Sequence, residues 1–518
     1  MSHAHTAWKI VIEISAQLSI HRIAGRCWLI VIVALLCTAG CDQSEPQPPA
    51  NHSAAVSEQA TTELRLAIVD DPALAASISR LQGEWTAQTA AKLTVQQLSA
   101  EAIASAEKLD ADAIIYPPGL LSTLAERKLI RPLNQAWLAS DPLESADLLQ
   151  PLDSLELTWD GQPYAVPLGS PVFVLLYRPD LFELFAKQPP RTWEEYQQLA
   201  EFFNNADQLK KQLSARRADT SGLNVAQPWS GTIEPLAHGW ASRLLLARAA
   251  AYAKHRDYSS VLFDRETMEP LIAGPPFVRA LSELATAAKT GPKDAVPLTP
   301  ADAAKLFLAG HAAMAIAWPS SSAAAQLSLT GRGAKIPAGV AALPGSSTAY
   351  NPRHTAWEPR RSDESTSIPL RGVSGRIGSI VRGANAAESA FRLLTWLASQ
   401  RWSIEVLPAS SATTMFRQSQ LLDPSPWTGS AFSLEAAKEY GQVLSAALRQ
   451  PEAVSVLRIP GEVEYMAALD DAVHATVDGK QSPQQALDAA AAKWREITTR
   501  FGKQQQLEAY RRSLKIAQ

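Results

Sequence analysis

Residues 158–196, TWDGQPYAVPLGSPVFVLLYRPDLFELFAKQPPRTWEEY, constrain the fold more than any other stretch of the chain. Asp160-Gly161 is a turn signal between apolar residues, so 158–166 is predicted to be a small hairpin. The apolar run 172–177 has strand length and no polar face, as expected for a strand covered on both sides. A short helix is predicted over 181–186, and Pro189-Pro190 breaks it. Thr192 then opens a new helix, with Glu195 three residues later completing a capping box. Turn, strand, helix, break and cap within so short a span mark a crossing where the chain leaves one lobe and enters another.

The rest of the chain agrees with a lobed α/β protein. At 518 residues it exceeds what one core organises. Strands are predicted at 64–69, 93–98 and 112–116, with helices between them, the first apolar at Leu74, Ile78, Leu81 and Trp85. Strands alternating with helices predict a mainly parallel sheet. Ligands of such sheets sit at the carboxyl ends of the strands, which singles out Asp70, Asp71 and Tyr116. Beyond the crossing come helices in 194–213 and 233–255, with Trp229 in a polar loop between them. Thr299, followed by Pro300 and Asp302, caps a helix to Leu308. Gly310 to Pro319 then reads as turn, strand and stop, ending at Trp318. Residues 338–343 form another strand, and 346–370 a long polar loop carrying Trp357 and Arg360-Arg361. Strand character returns over 371–381. The last helix, opened by Ser482-Pro483, buries Leu487, Ala491, Trp494 and Ile497.

Arg22 and Arg26 precede the apolar run 27–39, CWLIVIVALLCTA. This is a basic n-region and an h-region shorter than the roughly 20 residues of a transmembrane helix. Thr38-Ala39-Gly40-Cys41 closes it. Small residues before a cysteine resemble a bacterial lipobox, with Cys41 lipidated; Thr38 stands where an aliphatic residue is usual. A plain signal peptide or a membrane anchor is the alternative. All three cysteines, Cys27, Cys37 and Cys41, lie in this segment. The mature chain then relies on core burial and not on disulfides. Residues 42–62, rich in Pro, Gln, Ser and Ala, read as a flexible tether.

Composition and motifs narrow the function. The formal charge of −3 lacks the basic excess of a nucleic-acid binder. No histidine falls in HExxH spacing, and no Cys/His cluster is present, so no metal or cofactor is predicted. The run 372–376, GVSGR, has Arg where a nucleophile elbow needs its second Gly. Gly331 to Lys335 lacks the Walker spacing. Twelve of the fourteen tryptophans follow Cys41. Trp193, Trp396 and Trp494 lie on predicted helices and are assigned to packing. Trp229, Trp318, Trp357 and Trp427 lie in or beside loops, where an aromatic face can stack on a sugar ring. For each of them core packing is the competing assignment. Arg376, between glycines, is either a bidentate donor to a ligand or a surface arginine.

Four segments, in order, resemble the extracellular solute-binding proteins of ABC importers, the family that includes maltose-binding protein. Residues 159–167, WDGQPYAVP, look like the family's hairpin before the lobe crossing. Tyr177-Arg-Pro-Asp-Leu-Phe182 with Pro189-Pro190-Arg-Thr192-Trp193-Glu-Glu-Tyr196 is similar to its next segment. Residues 307–318, FLAGHAAMAIAW, resemble its F-x-x-G-x-A-A-M pattern, and 477–487, VDGKQSPQQAL, its C-terminal pattern. Together they span most of residues 64–500.

The resemblance implies two α/β lobes of the periplasmic-binding-protein fold (type II-like), each a mainly parallel sheet flanked by helices, joined by a hinge with the ligand between them. Its boundaries would be a leader over 1–41, the tether, a first lobe over 63–168 and 344–405 with an insertion at 346–370, and a second lobe over 169–343 and 406–518. It implies a monomeric, exported, non-enzymatic lipoprotein that carries a small solute, a sugar or oligosaccharide, to a membrane permease. By position it adds Trp318 and Tyr465 to Tyr116 as ligand contacts. The insertion is placed to cap the cleft or to touch another protein. Two other classes remain open: a ligand sensor or scaffold on the same fold, and an exported hydrolase.

Overall fold

The computed structural model describes residues 63–215, 225–292, 297–329 and 336–515. Cys41, the leader, the tether and the run 331–335 lie outside these residues. No helix among the described residues is long and apolar enough to cross a membrane.

The first sheet is built on β1 (Glu63–Val69). Leu64, Leu66, Ala67, Ile68 and Val69 are fully buried, so both its faces are covered. β1 pairs in parallel with β2 (Lys92–Leu98) and β3 (Ala113–Tyr116), and the sheet extends to β4 (Ile130–Arg131). The apolar spacing from Leu74 to Trp85 runs over two helices, Pro72–Ser79 and Gln82–Thr89, that keep Ile78 and Trp85 buried. The hairpin β5 (Thr158–Trp159) and β6 (Gln162–Pro163) turns at Asp160-Gly161, whose φ values of 49° and 71° suit a tight turn between strands. The chain leaves this sheet through β7 (Ala165–Pro167).

The second sheet holds β8 (Val174–Tyr177), β9 (Ser230–Ile233), β10 (Ala312–Ala317) and β11 (Gly339–Ala342), in the order β11-β8-β10-β9. Thr192–Glu195, Thr299–Asp302 and Ser482–Gln485 form reciprocal capping boxes on helices that begin where the sequence places them. The helix Pro483–Phe501 buries Leu487, Ala491, Trp494 and Ile497, as its spacing predicts.

The segment expected as a long loop is instead a hairpin, β12 (Thr348–Asn351) with β13 (Ala356–Pro359), which pairs Tyr350 with Trp357. It lies on the helices Ala241–Ala253 and Pro275–Ala288 of the second lobe. Trp357 packs edge-on against Tyr252, and the Arg279 guanidinium sits 4.5 Å from the Tyr252 ring centroid. Arg360 Nη2 donates to the carbonyls of Ala251 (2.7 Å) and Lys254 (3.1 Å). These carbonyls end the helix Ala241–Ala253 and have no partner within it, which explains why the insertion docks here and not with the first lobe.

β14 (Leu370–Arg371), β15 (Ile377–Val381) and β16 (Val454–Ser455) complete the strands. β15 returns to the first sheet between β3 and β4 and runs against β3, β4 and β7. The sheets are therefore mixed, where mainly parallel ones were expected. The reason is topological. The chain leaves the first sheet at the edge marked by Pro167 and re-enters at the same edge through Arg376, so the returning strand must run the other way. The second sheet follows the same logic: β8 starts at the crossing and runs against β10 and β11, while β9 is parallel to β10. The crossings are tied together. Leu168 N donates to Arg376 O and Arg376 N to Gly169 O, both at 3.0 Å. β14 pairs in parallel with β16.

Candidate functional site

The carboxyl edge of the first sheet gathers four of the residues singled out by sequence. Asp71 begins the helix Pro72–Ser79, and its Oδ1 accepts from Leu74 N at 3.0 Å. Its Oδ2 accepts from Arg376 Nε at 2.9 Å and from Ser410 Oγ at 2.5 Å. Arg376 also donates to Gly375 O (2.7 Å) and Asp70 O (3.2 Å). Burial pulls the Arg376 guanidinium below its ordinary pKa, against the opposing pull of Asp71. Arg376 is thus a buried hinge residue and not a surface arginine. Asp70, in the left-handed region at φ 47°, is exposed; its Oδ2 accepts from Ala100 N. Tyr116 is next to this edge, opposite Ile377, but its side chain is fully buried and its hydroxyl is 2.7 Å from Ser379 Oγ.

Two glycines let the crossing segments touch. Gly169 has φ 99°, and a Cβ there would collide with the Thr414 carbonyl. Gly375 has φ 138°, and a Cβ there would collide with the Ser170 hydroxyl. The segments around Ser170, Arg376 and Thr414 therefore pack backbone to backbone, and Ser410 brings the third of them onto Asp71.

The second lobe faces this edge with Trp318, at the end of β10. Trp318 Nε1 donates to Ser411 O at 2.8 Å, one residue from the serine that holds Asp71. Its ring packs on Phe173 and on the half-buried Trp240, each with centroids 5.6 Å away. The Arg243 guanidinium lies 5.6 Å from the Trp240 ring centroid and 3.7 Å from the Glu462 carboxylate. Glu462 opens the helix Glu462–Val477 and reaches back to the first lobe, where a Cβ on Gly119 would sit 3.7 Å from its carboxylate. Burial raises the Glu462 pKa; Arg243 counters this and Asp470 adds to it. Contacts thus run in a circuit from Asp71 through Ser410, Ser411, Trp318, Trp240, Arg243 and Glu462 to Gly119, and back along β3.

The other three predicted contacts lie away from this circuit. Trp229 is buried, and its Nε1 donates to Phe203 O at 2.7 Å. Tyr465 is fully buried among Phe263 and Trp494; its hydroxyl is 2.8 Å from Thr498 Oγ1, and burial pushes its pKa up to about 12. Trp357 is 38% exposed on the β12–β13 hairpin. Sequence reasoning missed Trp240, Arg243 and Glu462. Their only sequence signals are Gly239 and Gly461 ahead of the helix starts, which read as ordinary punctuation; the positive φ of both appears only in the structure. One cluster, His255, Asp257 and Glu358, has spacing that suits a metal. Its donors are engaged, however. Asp257 N–H donates to His255 Nδ1 at 3.2 Å, which leaves Nε2 to face Glu358 at 3.1 Å, and Arg256 Nη2 donates to the same carboxylate at 2.8 Å.

Trp240, Arg243 and Ser411 are part-exposed, whereas Trp318, Asp71, Ser410 and Glu462 are buried; an indole beside a guanidinium is chemistry that suits a polar, ring- or chain-shaped solute. Comparison with curated protein sequences gives no match. Similar solved structures include an ABC transporter solute-binding protein from Agrobacterium radiobacter K84 in complex with ribitol. It has TM-score 0.61 and 20% identity and covers 84% of this chain and 98% of that one. A second, from Agrobacterium vitis S4 with bound D-mannitol, has TM-score 0.59 and 18% identity, covering 85% and 99%. Maltose-bound MalE3 of T. maritima has TM-score 0.58 and 17% identity, covering 84% and 100%. At such identities the likeness establishes the two-lobed fold. A family model described as bacterial extracellular solute-binding protein matches residues 84–401. Since that match takes in more than half of the chain, this protein belongs to the bacterial extracellular solute-binding proteins, an exported family of binding proteins and not of enzymes.

Proposed function

We propose that this protein is the receptor of an ABC importer for a sugar or polyol, held between the lobes within the circuit from Asp71 to Glu462. The observation that carries this reading is the pair Trp318–Trp240, flanked by Arg243 and Glu462 on one side and reaching Asp71 and Arg376 through Ser410-Ser411 on the other. An indole face can cover the apolar face of a polyhydroxylated solute while the charged groups take its hydroxyls. Asp70, exposed at the rim, would add a carboxylate from the first lobe. The ribitol, mannitol and maltose of the structural neighbours support this solute class. Contacts from both lobes would bias the hinge toward closure, since a ligand shifts a two-state equilibrium by its differential contacts.

In this reading the first lobe is residues 63–168 with β15 and its following helices, and the second is built on β8–β11 and the C-terminal helices. The chain acts as a monomer, tethered to a bacterial membrane through a lipid on Cys41, and hands its solute to a permease. The test is a thermal-shift panel of ribitol, mannitol, maltose and maltotetraose. A solute present at 100 times its dissociation constant stabilises by roughly 2.7 kcal/mol. Trp240→Ala should abolish the shift. A flat panel would overturn the solute class, and an undiminished shift in Trp240→Ala the location. Metabolic labelling with a fatty acid tests the tether: label lost in Cys41→Ser supports it, and label retained refutes it.

A further inference from the structure

A cavity of about 180 Å³ lies on the far side of the crossing, between the segment 453–458, residues 259–262 and the chain end at 510–514. Its wall contains two cations and no carboxylate. Lys254 follows the helix Ala241–Ala253, and Arg458 is 2% exposed. Arg458 Nη1 donates to Leu155 O, and Nη2 to Ser513 O at 2.7 Å; both acceptors are carbonyls. Among the described residues no carboxylate oxygen lies within the 4.0 Å of an ion pair from either cation. The acids acting on them are further away, Glu156 on Arg458 and Glu452 on Lys254. Glu156 is buried, and its Oε1 accepts from Gln150 Nε2 at 3.4 Å. Burial draws Arg458 down to about 10 and lowers Lys254 as well.

A buried guanidinium whose hydrogen bonds go only to carbonyls has no carboxylate in direct contact, and Glu156 acts on it only from further away. The rest of the wall is mixed: Val261 and Leu457 are apolar, and Ser455 and Tyr510 carry hydroxyls. Ser259 and Pro451, at the margin, are exposed, so solvent reaches the cavity. Apolar walls beside paired cations fit an organic anion better than a fully hydrated inorganic one. We propose that this cavity binds a small organic carboxylate, its oxygens held by Lys254 and Arg458 and its body by Val261 and Leu457. The site is distinct from the interlobe circuit. It includes Leu155 of the first lobe and β16, which pairs with β14 at the crossing, so an occupant would connect the two lobes at a second point.

Calorimetric titration of the chain with sodium butyrate, at ionic strength matched with sodium chloride, tests this directly. One saturable site is expected, weakened at least about tenfold in Lys254→Met and retained in Lys254→Arg, because the charge-assisted bond is what differs. Lys254 is half-buried, so both variants are expected to fold, and far-ultraviolet circular dichroism checks this. Inorganic phosphate should give no more heat than the chloride control. The proposal is overturned if butyrate shows no saturable heat, if phosphate binds in preference to butyrate, if Lys254→Met titrates like wild type, or if Lys254→Arg fails along with it.

Discussion

Replacing Asp71 by Asn isolates the charge that holds the three crossing segments together. The side chains of Asp71 and Arg376 are 6% and 7% exposed, with Nε 2.9 Å from Oδ2. Asn keeps the shape and caps helices about as well as Asp, so the bond from Leu74 N survives. What is lost is the counter-charge, leaving a buried guanidinium with the carbonyls of Gly375 and Asp70. Breaking a buried pair in this way costs about 3–5 kcal/mol. Asp71→Ala should cost about 1 kcal/mol more, through the lost cap. Pairing Asp71→Asn with Arg376→Met should recover most of the loss, since removing both charges of a buried pair is often close to neutral. Urea unfolding followed by tryptophan fluorescence measures the wild type, the two Asp71 variants, Arg376→Met and the double variant, and unchanged slopes keep the comparison valid. A cost below about 1 kcal/mol for Asp71→Asn would refute the reasoning, because that is the range of a solvated pair. So would a double variant as unstable as the sum of its single variants.

Three further outcomes follow from local geometry. Gly169→Ala, at φ 99° and facing the Thr414 carbonyl, should destabilise by at least about 2 kcal/mol, whereas Gly83→Ala, on a helix with open space around it, should stabilise by about 0.5–1 kcal/mol; thermal melts of the two compare them. Trp494→Ala removes a fully buried indole that stacks on Phe263 at 4.8 Å and donates to Tyr465 O, and should cost about 3–5 kcal/mol in urea unfolding. Hydrogen bonds from His354, Asn351 and His255 hold the Glu358 carboxyl down at about 2, against an ordinary 4.5. His354 and Asn351 belong to the hairpin itself, so detachment removes only the His255 share of this depression, and a detached hairpin binds more protons than a docked one by that share. Docking is therefore at full strength above pH 4.5 and weakens, by the His255 contribution alone, as pH falls toward 2. Trp357 fluorescence should follow that loss in wild type, and Glu358→Gln should flatten its pH dependence; equal slopes in the two proteins would refute the assignment.

What the sequence made legible was local. The three capping boxes, the Asp160-Gly161 turn and the stripe on the last helix depend on neighbours within a few residues, and each appears where predicted. The direction of β15 depends on where the chain leaves and re-enters the sheet, which no window of sequence encodes. The docking of the β12–β13 hairpin depends on carbonyls about a hundred residues earlier. Aromatic residues were the hardest to sort. Tyr116, Trp229 and Tyr465 each satisfy their polar atom inside the core, so their strand-end, loop and helix positions said little about exposure. Trp240 follows a glycine at the start of a helix, a position that looks like ordinary punctuation until Trp318 is seen against it. Arg376 could be placed only once Asp71, some three hundred residues earlier, was brought next to it.

Titration calorimetry of the chain with ribitol, mannitol and maltose, repeated on Trp240→Ala and Trp318→Ala, separates a solute site at the two tryptophans from none. One saturable site is expected for at least one of these solutes in the wild-type chain. Both tryptophan variants are expected to lose affinity while still melting cooperatively. No heat from any of the three solutes, or affinities that both variants leave unchanged, would contradict a cleft organised around Trp240 and Trp318.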